Sequence, residues 1–277
     1  MLEQADAASA LREVLSRPEE STSLTAGALA IARLGGRLPD GEAVERALDE
    51  LAGTLALAVG VAAHPRFLLA GVARALFEQL GWTTARAGAE RAEDFFIDAA
   101  IAARSAAPHL LALIVAEAAE RAALPIHPVA APGAALLRAD GGGKAAFMDL
   151  ARNGRPLTPD ECRALAVAAC GGRLEFSEGW LRAAVREQSL ARVANGLKAF
   201  HWRIGAYDLA LEAIDLLLAI RPEDPREVRD RGRLLFLEGR LREAIGAFET
   251  YLSRNPHGQD AEAVRMLLLE ARTTLSS

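Results

Sequence analysis

The amino-acid sequence predicts an α+β protein that is mainly helical, and three observations carry that reading. From Leu190 to Pro256 the chain repeats itself: Gly205, Ala210, Leu211, Ile214, Leu218 and Pro222 recur, 34 residues later, as Gly239, Ala244, Ile245, Phe248, Leu252 and Pro256. Over most of the remainder, apolar residues fall three and four apart, the spacing of one face of a helix. After Pro125 that pattern gives way to short apolar runs around a Gly-rich turn, the signal of strands.

Taken in order, residues 5–16 read as a short helix stopped before Pro18. Ser21, Thr22 and Ser23 offer N-caps for a second helix through Arg33, ended by Gly35-Gly36. Asp40 caps a third, whose Val44, Leu48, Leu51, Leu55 and Val59 share one face. His64-Pro65 breaks it, a helix follows from Phe67 to Leu80, and Gly81 to Ala92 reads as a loop. A helix from Glu93 to Arg104 precedes another opened by Pro108, at its favoured first-turn position. That helix buries Leu111, Ile114, Val115, Ala118 and Ala122, with Glu117, Glu120 and Arg121 expected away from the core. Ile126–Ala131, Ala134–Arg138 and Lys144–Leu150 read as strands, the last two joined at Asp140-Gly141-Gly142-Gly143. Thr158 to Cys170 returns to helix, Gly171-Gly172 ends it, and from Glu178 only helices are expected, the last from Asp260 to Thr274.

A 34-residue period with small, apolar and proline positions in phase is the mark of tetratricopeptide repeats, each a helix–turn–helix unit. Gly205 and Gly239 supply the tight turn, Ala210 and Ala244 the close helix approach, and Pro222 and Pro256 the stop. The expected organisation is an N-terminal helical region at 1–64, an α+β core at 65–175 and a repeat tail at 176–277. Two repeats are fewer than the three or so that stand alone, so the tail is expected to lean on the core.

Hydrophobic content of 51% with 25% charged residues describes a globular chain, and the net charge of −5 argues against general nucleic-acid binding. An acidic N-terminus lacks the basic region of a signal peptide, and the weakly polar run at Leu51–Ala63 is too short to span a bilayer. A cytoplasmic protein with no membrane span is expected. Cys162 and Cys170, eight apart on one helix, lie about 12 Å apart along its axis and beyond disulfide reach. Neither a zinc pattern nor a phosphate-binding glycine motif is present, so no metal and no cofactor is expected.

Several stretches together resemble the bacterial transglutaminase-like proteins of the SirB type, which append tetratricopeptide repeats to a papain-like core. Leu76-Phe77-Glu78-Gln79-Leu80-Gly81-Trp82 resembles the family's LF-x-x-x-G-[FW], and Arg104-Ser105-Ala106-Ala107-Pro108 its R-x-G-x-P with alanine for glycine. Leu124-Pro125 and Pro132-Gly133-Ala134-Ala135-Leu136-Leu137-Arg138 are similar to LP…PGHFLxR. Phe147-Met148-Asp149, Gly154-Arg155-Pro156-Leu157 and Arg229-Asp230-Arg231-Gly232 match further segments. The resemblance implies a degenerate papain/transglutaminase-like core fused to two repeats. It also implies a cysteine at a helix start, a histidine base on the next strand and an orienting aspartate. Here the helix begins Pro108-His109-Leu110 with no cysteine near, Ala134 stands at the histidine position, and only Asp149 remains. A pseudo-enzyme is therefore expected, with Asp149 capping a turn. His109 and His127 have no evident catalytic partner, and Asp160-Glu161 should raise the pKa of Cys162.

The first helix of each repeat lines the concave side in such folds. On that count Arg192, Asn195, Ala199, Trp202 and Arg203 join Arg226, Arg229, Asp230, Arg233 and Phe236 on one face. Arginine beside aromatics suits a protein or peptide partner with acidic or C-terminal carboxylate groups. From Arg186 onward 14 basic residues meet 14 acidic ones, so internal pairing is the competing expectation. The function expected is a non-catalytic protein-interaction or regulatory module. A divergent cysteine-type hydrolase or acyl-transfer enzyme, and a structural subunit of a larger assembly, are the alternatives.

Overall fold

The computed structural model describes residues 6–18, 23–60, 64–86, 88–171 and 175–276. Ser21, Thr22 and Gly172, named above as cap and stop signals, lie outside the described residues.

The N-terminal helices start where short polar side chains satisfy the first free N–H groups. Asp6 caps α1 (Ala7–Ser16) by accepting from the Ser9 N–H at 2.6 Å, and Ser23 caps α2 (Leu24–Ile31) through the Ala26 N–H at 3.2 Å. Asp40 caps α3 (Gly41–Val59), which buries the five predicted residues Val44, Leu48, Leu51, Leu55 and Val59. Next comes α4 (Pro65–Ala73), and its last turn widens into a π-helical stretch at Arg74–Gln79.

The predicted 81–92 loop and 93–104 helix are both modified. Thr83–Thr84 forms a short strand, β1, paired in parallel with β2 at Ser105–Ala106. The intervening helix is split into a 3₁₀ turn at Ala92–Phe95 and α5 (Ile97–Ala103). Pairing of residues 22 apart on either side of α5 is non-local, so no local pattern announced it.

The central helix is α6 (Pro108–Arg121). Leu110, Leu111, Leu113, Ile114 and Val115 are all buried, so the helix is covered on every side and not on one stripe. Each of these five side chains stabilises the core by roughly 1.5–3 kcal/mol. Glu117 corrects the sequence reading: it is buried, and its carboxylate accepts the Thr25 N–H at 3.0 Å. Placing an acid on the apolar face is tolerable only because that partner and Arg121, at 3.6 Å, are present.

An antiparallel sheet follows in the order β3 (Ile126–Pro128), β4 (Leu136–Gly141), β5 (Lys144–Asp149) and β6 (Arg155–Leu157). The β4–β5 hairpin turns at Gly142 and Gly143, both with positive φ, a conformation open to glycine. The sheet edge is extended by the chain before the repeats. Ala183 bridges to Val129, and the Ala184 N–H donates to the Pro128 carbonyl at 2.8 Å. That segment therefore includes extended backbone where only helix was expected. Helix α7 (Pro159–Ala169) has a Thr158–Glu161 capping box and packs Cys162 and Ala166 onto the sheet.

The tail consists of α8 (Arg186–Arg203), α9 (Tyr207–Ile220), α10 (Pro225–Leu237), α11 (Leu241–Arg254) and α12 (Ala261–Ser276). Gly205 and Gly239 occupy equivalent turns at φ 76° and 74°, and Ala210 and Ala244 are fully buried at equivalent crossings. One apolar cluster runs from Leu11 through α3 and α6 to Leu190, Val193 and Leu197 of α8 and Leu217 of α9. The first repeat thus shares the core of the preceding residues. The second repeat closes around its own cluster of Leu234, Phe248 and Tyr251.

Candidate functional site

The three positions that the sequence comparison set against the catalytic triad converge on one cavity of about 540 Å³. Its walls include His109 at the start of α6, Ala134 before β4 and Asp149 at the end of β5. Residues from α7 (Leu165, Ala168 and Ala169) form a second wall, and α8 (Arg192, Gly196, Ala199 and Arg203) a third. Two close approaches bring these walls in. A Cβ on Gly133 would lie 2.6 Å from the Ala169 Cβ, and one on Gly196 would lie 2.5 Å from the Phe95 ring. A larger residue at Gly133 would press on Ala169 of α7, and one at Gly196 would displace the Phe95 ring.

The acidic groups of the cavity are already engaged. Asp149 is buried; one carboxylate oxygen accepts the Ala151 N–H at 2.9 Å, and the other lies 3.7 Å from Arg152. It caps the 3₁₀ turn at Leu150–Arg152, as expected of it. Glu90 accepts from the Arg203 guanidinium and from the Gly88 N–H, both at 2.9 Å. Although burial pushes upward on its carboxyl, hydrogen bonds from the Glu90 and Gly88 backbone and Arg203 hold it below the ordinary range.

The basic groups are less fully matched. Arg192 donates to the Val129 carbonyl, and no carboxylate lies within ion-pair distance of it among the described residues. Burial pushes its guanidinium down to about 10, still charged at neutral pH. His109 makes no hydrogen bond through its ring among the described residues; burial, then the Arg192 charge, push it down to about 4. It is neutral at pH 7. Cys162 lies behind the α7 wall, fully buried, and burial together with Glu161 and Asp149 pushes its thiol up to about 11.

The residues expected on one concave face are distributed over three places. Arg192, Ala199 and Arg203 face the cavity just described. Asn195, Arg226, Arg229 and Asp230 line a separate groove between α8 and α10, around Lys198 and Glu227. Arg233 stacks over Trp202, 5.7 Å from the ring centroid, while Phe236 packs against the second-repeat core. In that groove the arginines are paired: Arg226 with Asp224, and Arg229 with Asp230 and Asp260. The physical reason for the split is the breadth of α8. Its successive turns are covered by the core on one side and by α10 on another, so residues three and four apart meet different neighbours.

Lys198 is the functional-looking residue that the sequence reading passed over. One of only two lysines in the chain, it is buried against Glu227 and Asp230. The signal available was the long-range match of a lone lysine on α8 to two acids three apart on α10.

A profile of the transglutaminase-like superfamily matches residues 42–195. The chain belongs to the transglutaminase-like superfamily. A tetratricopeptide repeat profile matches residues 197–269, from within α8 through α11 and into α12. The chain is 27% identical over 205 residues to a UPF0162 protein of Xylella fastidiosa strain Temecula1, which covers 73% of each chain. A UPF0162 protein of strain 9a5c is 26% identical over the same share. No solved structure matches this chain. Among the described residues, no helix is long and apolar enough to cross a membrane and no cluster of side chains could hold a metal ion.

Proposed function

We propose that this protein is a transglutaminase-like pseudo-enzyme, a bacterial, cytoplasmic module that binds a protein or peptide partner and regulates it without catalysing a reaction. The observation that supports this most directly is the identity of the three groups around the cavity. A nucleophile is needed at the α6 N-terminus, and His109 stands there with its ring pushed down to about 4. A base is needed beside it, and Ala134 has none. Asp149 keeps its carboxylate, but one oxygen accepts the Ala151 N–H and the other lies beside Arg152. Cys162, on α7, is held protonated at neutral pH and is fully buried, the opposite of an activated cysteine. Tetratricopeptide repeats support the interaction role, since their usual work is to hold another chain.

The test is treatment of the native protein with iodoacetamide and with an electrophilic epoxide probe near pH 7, read by mass spectrometry. Cys162 should stay unmodified until the protein is unfolded, and the half-buried Cys170 should react only at the rate of an ordinary thiol. Rapid, stoichiometric labelling of either cysteine would overturn the reading.

A further inference from the structure

The cavity at the vestigial catalytic position has a charge pattern that points to a ligand class. Its two acids are each engaged by an arginine and a backbone N–H: Asp149 by Arg152 and Ala151, Glu90 by Arg203 and Gly88. Among the described residues, Arg192 has only the Val129 carbonyl. Arg192 is half-buried, and a guanidinium partly withdrawn from water favours an anion, because a neutral carbonyl offsets little of its charge. The remaining donors line the same cavity. His109 presents an unbonded imidazole, and α6 begins without a side-chain cap, so the His109 and Leu110 N–H groups precede its first intrahelical bond, from Leu111 to Ala107. A helix N-terminus carries partial positive charge and favours an anion.

The rest of the lining is apolar: Phe95, Leu110, Leu165, Val193 and Phe200, with alanines between them. A multiply charged phosphate would leave those walls unmatched. A single carboxylate attached to a short apolar body matches both halves, and a volume of about 540 Å³ has room for one or two amino-acid residues.

We infer that this cavity binds a small amphiphilic monocarboxylate, the carboxylate against Arg192, His109 and the α6 N-terminus and the apolar part against Phe95, Val193 and Leu165. The two sources of that chemistry are a free short-chain acid and the C-terminal residue of a peptide. The inference rests on the pseudo-enzyme reading, since the site is a binding cavity and not a reaction centre. Arg192 clamps the carboxylate through paired N–H donors, a geometry that lysine would not reproduce. Because α8 supplies Arg192 and is also the first helix of the repeats, ligand in the cavity would bear directly on the helix that forms the repeat groove.

Isothermal titration calorimetry on the full-length protein near pH 7 tests this with four probes: hexanoate, hexanamide, N-acetyl-Ala-Leu with a free C-terminus, and the same dipeptide as its C-terminal amide. At least one acid should bind, and its amide should bind at least tenfold more weakly. Binding by hexanoate alone identifies a free acid as the source, and tighter binding of the peptide acid identifies a C-terminus; both support the inference. Arg192→Gln should weaken the acid at least tenfold. Because Arg192 also holds the Val129 carbonyl, a second variant, Ala199→Leu, fills the cavity while leaving that bond in place and should weaken binding as much. Arg226→Gln, outside the cavity, should bind as the parent does. Equal binding of acid and amide, no binding of either acid at 10 mM probe, or unchanged affinity in both Arg192→Gln and Ala199→Leu would overturn it. The thiol-labelling result is independent of all of these, so failure of the pseudo-enzyme reading is seen separately.

Discussion

Lys198 of α8 donates to both carboxylate oxygens of Glu227 on α10, at 2.9 and 2.7 Å, and to Asp230 at 3.1 Å. All three side chains are nearly inaccessible, so the two repeats are joined through a buried cluster of one cation and two anions. Arg229 adds a second positive charge to Asp230 at 2.7 Å. Among the described residues Glu227 has no such second ion-pair partner, and burial raises its pKa although Lys198 works against that.

Removing the lysine should therefore strand Glu227. Lys198→Met is expected to lower stability by about 3–5 kcal/mol, the usual penalty of leaving a buried charge unpaired. Arg226→Ala breaks a pair whose arginine is 70% exposed and should cost about 0–1 kcal/mol. Urea denaturation midpoints of the two variants decide the matter; equal, small losses would mean that water reaches the cluster.

Glu117 allows a prediction with a definite pH sign. Burial raises its carboxyl above the ordinary range, against the Thr25 N–H and Arg121, which lower it. A raised folded-state pKa means that Glu117 favours folding fully below its unfolded value near 4.5, and that this is lost as pH rises through the folded value. Glu117→Gln keeps an acceptor for Thr25 and removes the charge. Its stability relative to the parent should therefore improve from pH 4 to pH 7. Glu117→Ala leaves the Thr25 N–H without its partner and should lose about 1–3 kcal/mol at either pH. A pH series of thermal or urea unfolding measures both.

His201 gives the opposite dependence. It is 2% exposed, and neither ring nitrogen has a hydrogen-bond partner among the described residues. Burial lowers its pKa, so the unfolded chain takes up a proton that the folded chain resists. Stability is kept above the unfolded value of about 6.5 and falls as pH drops below it, by up to about 1.4 kcal/mol per pH unit for one proton. His201→Leu should flatten that fall between pH 6.5 and 5 and cost little at pH 7.5, since no hydrogen bond is lost. An unchanged pH slope in the variant would assign the effect elsewhere, His109 being the other histidine lowered by burial.

What was legible in the sequence follows from how local each signal is. Asp40 and the five apolar residues of α3 are read within one helix, and Gly205 and Gly239 within one repeat unit; both readings match the structure. Asp149 was also legible, because capping a turn involves the residue two positions on. The β1–β2 pair, the bridge from Val129 to Ala183 and the burial of Glu117 against Thr25 all join distant segments, so no local window contains them. The cavity was half legible. Its floor at His109, Ala134 and Asp149 came from segment order, whereas Arg192 and Arg203 were assigned by repeat phase to the opposite side of their helix. Repeat phase describes how α8 meets α10, and it is silent on how α8 meets α6.

That last contact gives the final prediction. Leu190, Val193, Ala194 and Leu197 of α8 are buried in the same cluster as α6, and a Cβ on Gly27 of α2 would meet the Leu190 side chain at 2.5 Å. A fragment of residues 186–277 would expose this face, while keeping the second-repeat core of Leu234, Phe248 and Tyr251. Four newly exposed side chains, at roughly 25 cal/mol per Å² of apolar surface, outweigh what two repeats can spare. The fragment should keep helical circular dichroism, bind a hydrophobic dye and show poorly dispersed amide NMR signals, whereas the full chain should unfold in one main transition. The substitution Leu190→Ser in the fragment should reduce dye binding, and in the full chain it should lower the midpoint by a large-to-small core penalty of about 2–5 kcal/mol. A well-dispersed spectrum from the fragment would show that the repeats fold alone and that α8 meets the core as one folded unit meets another.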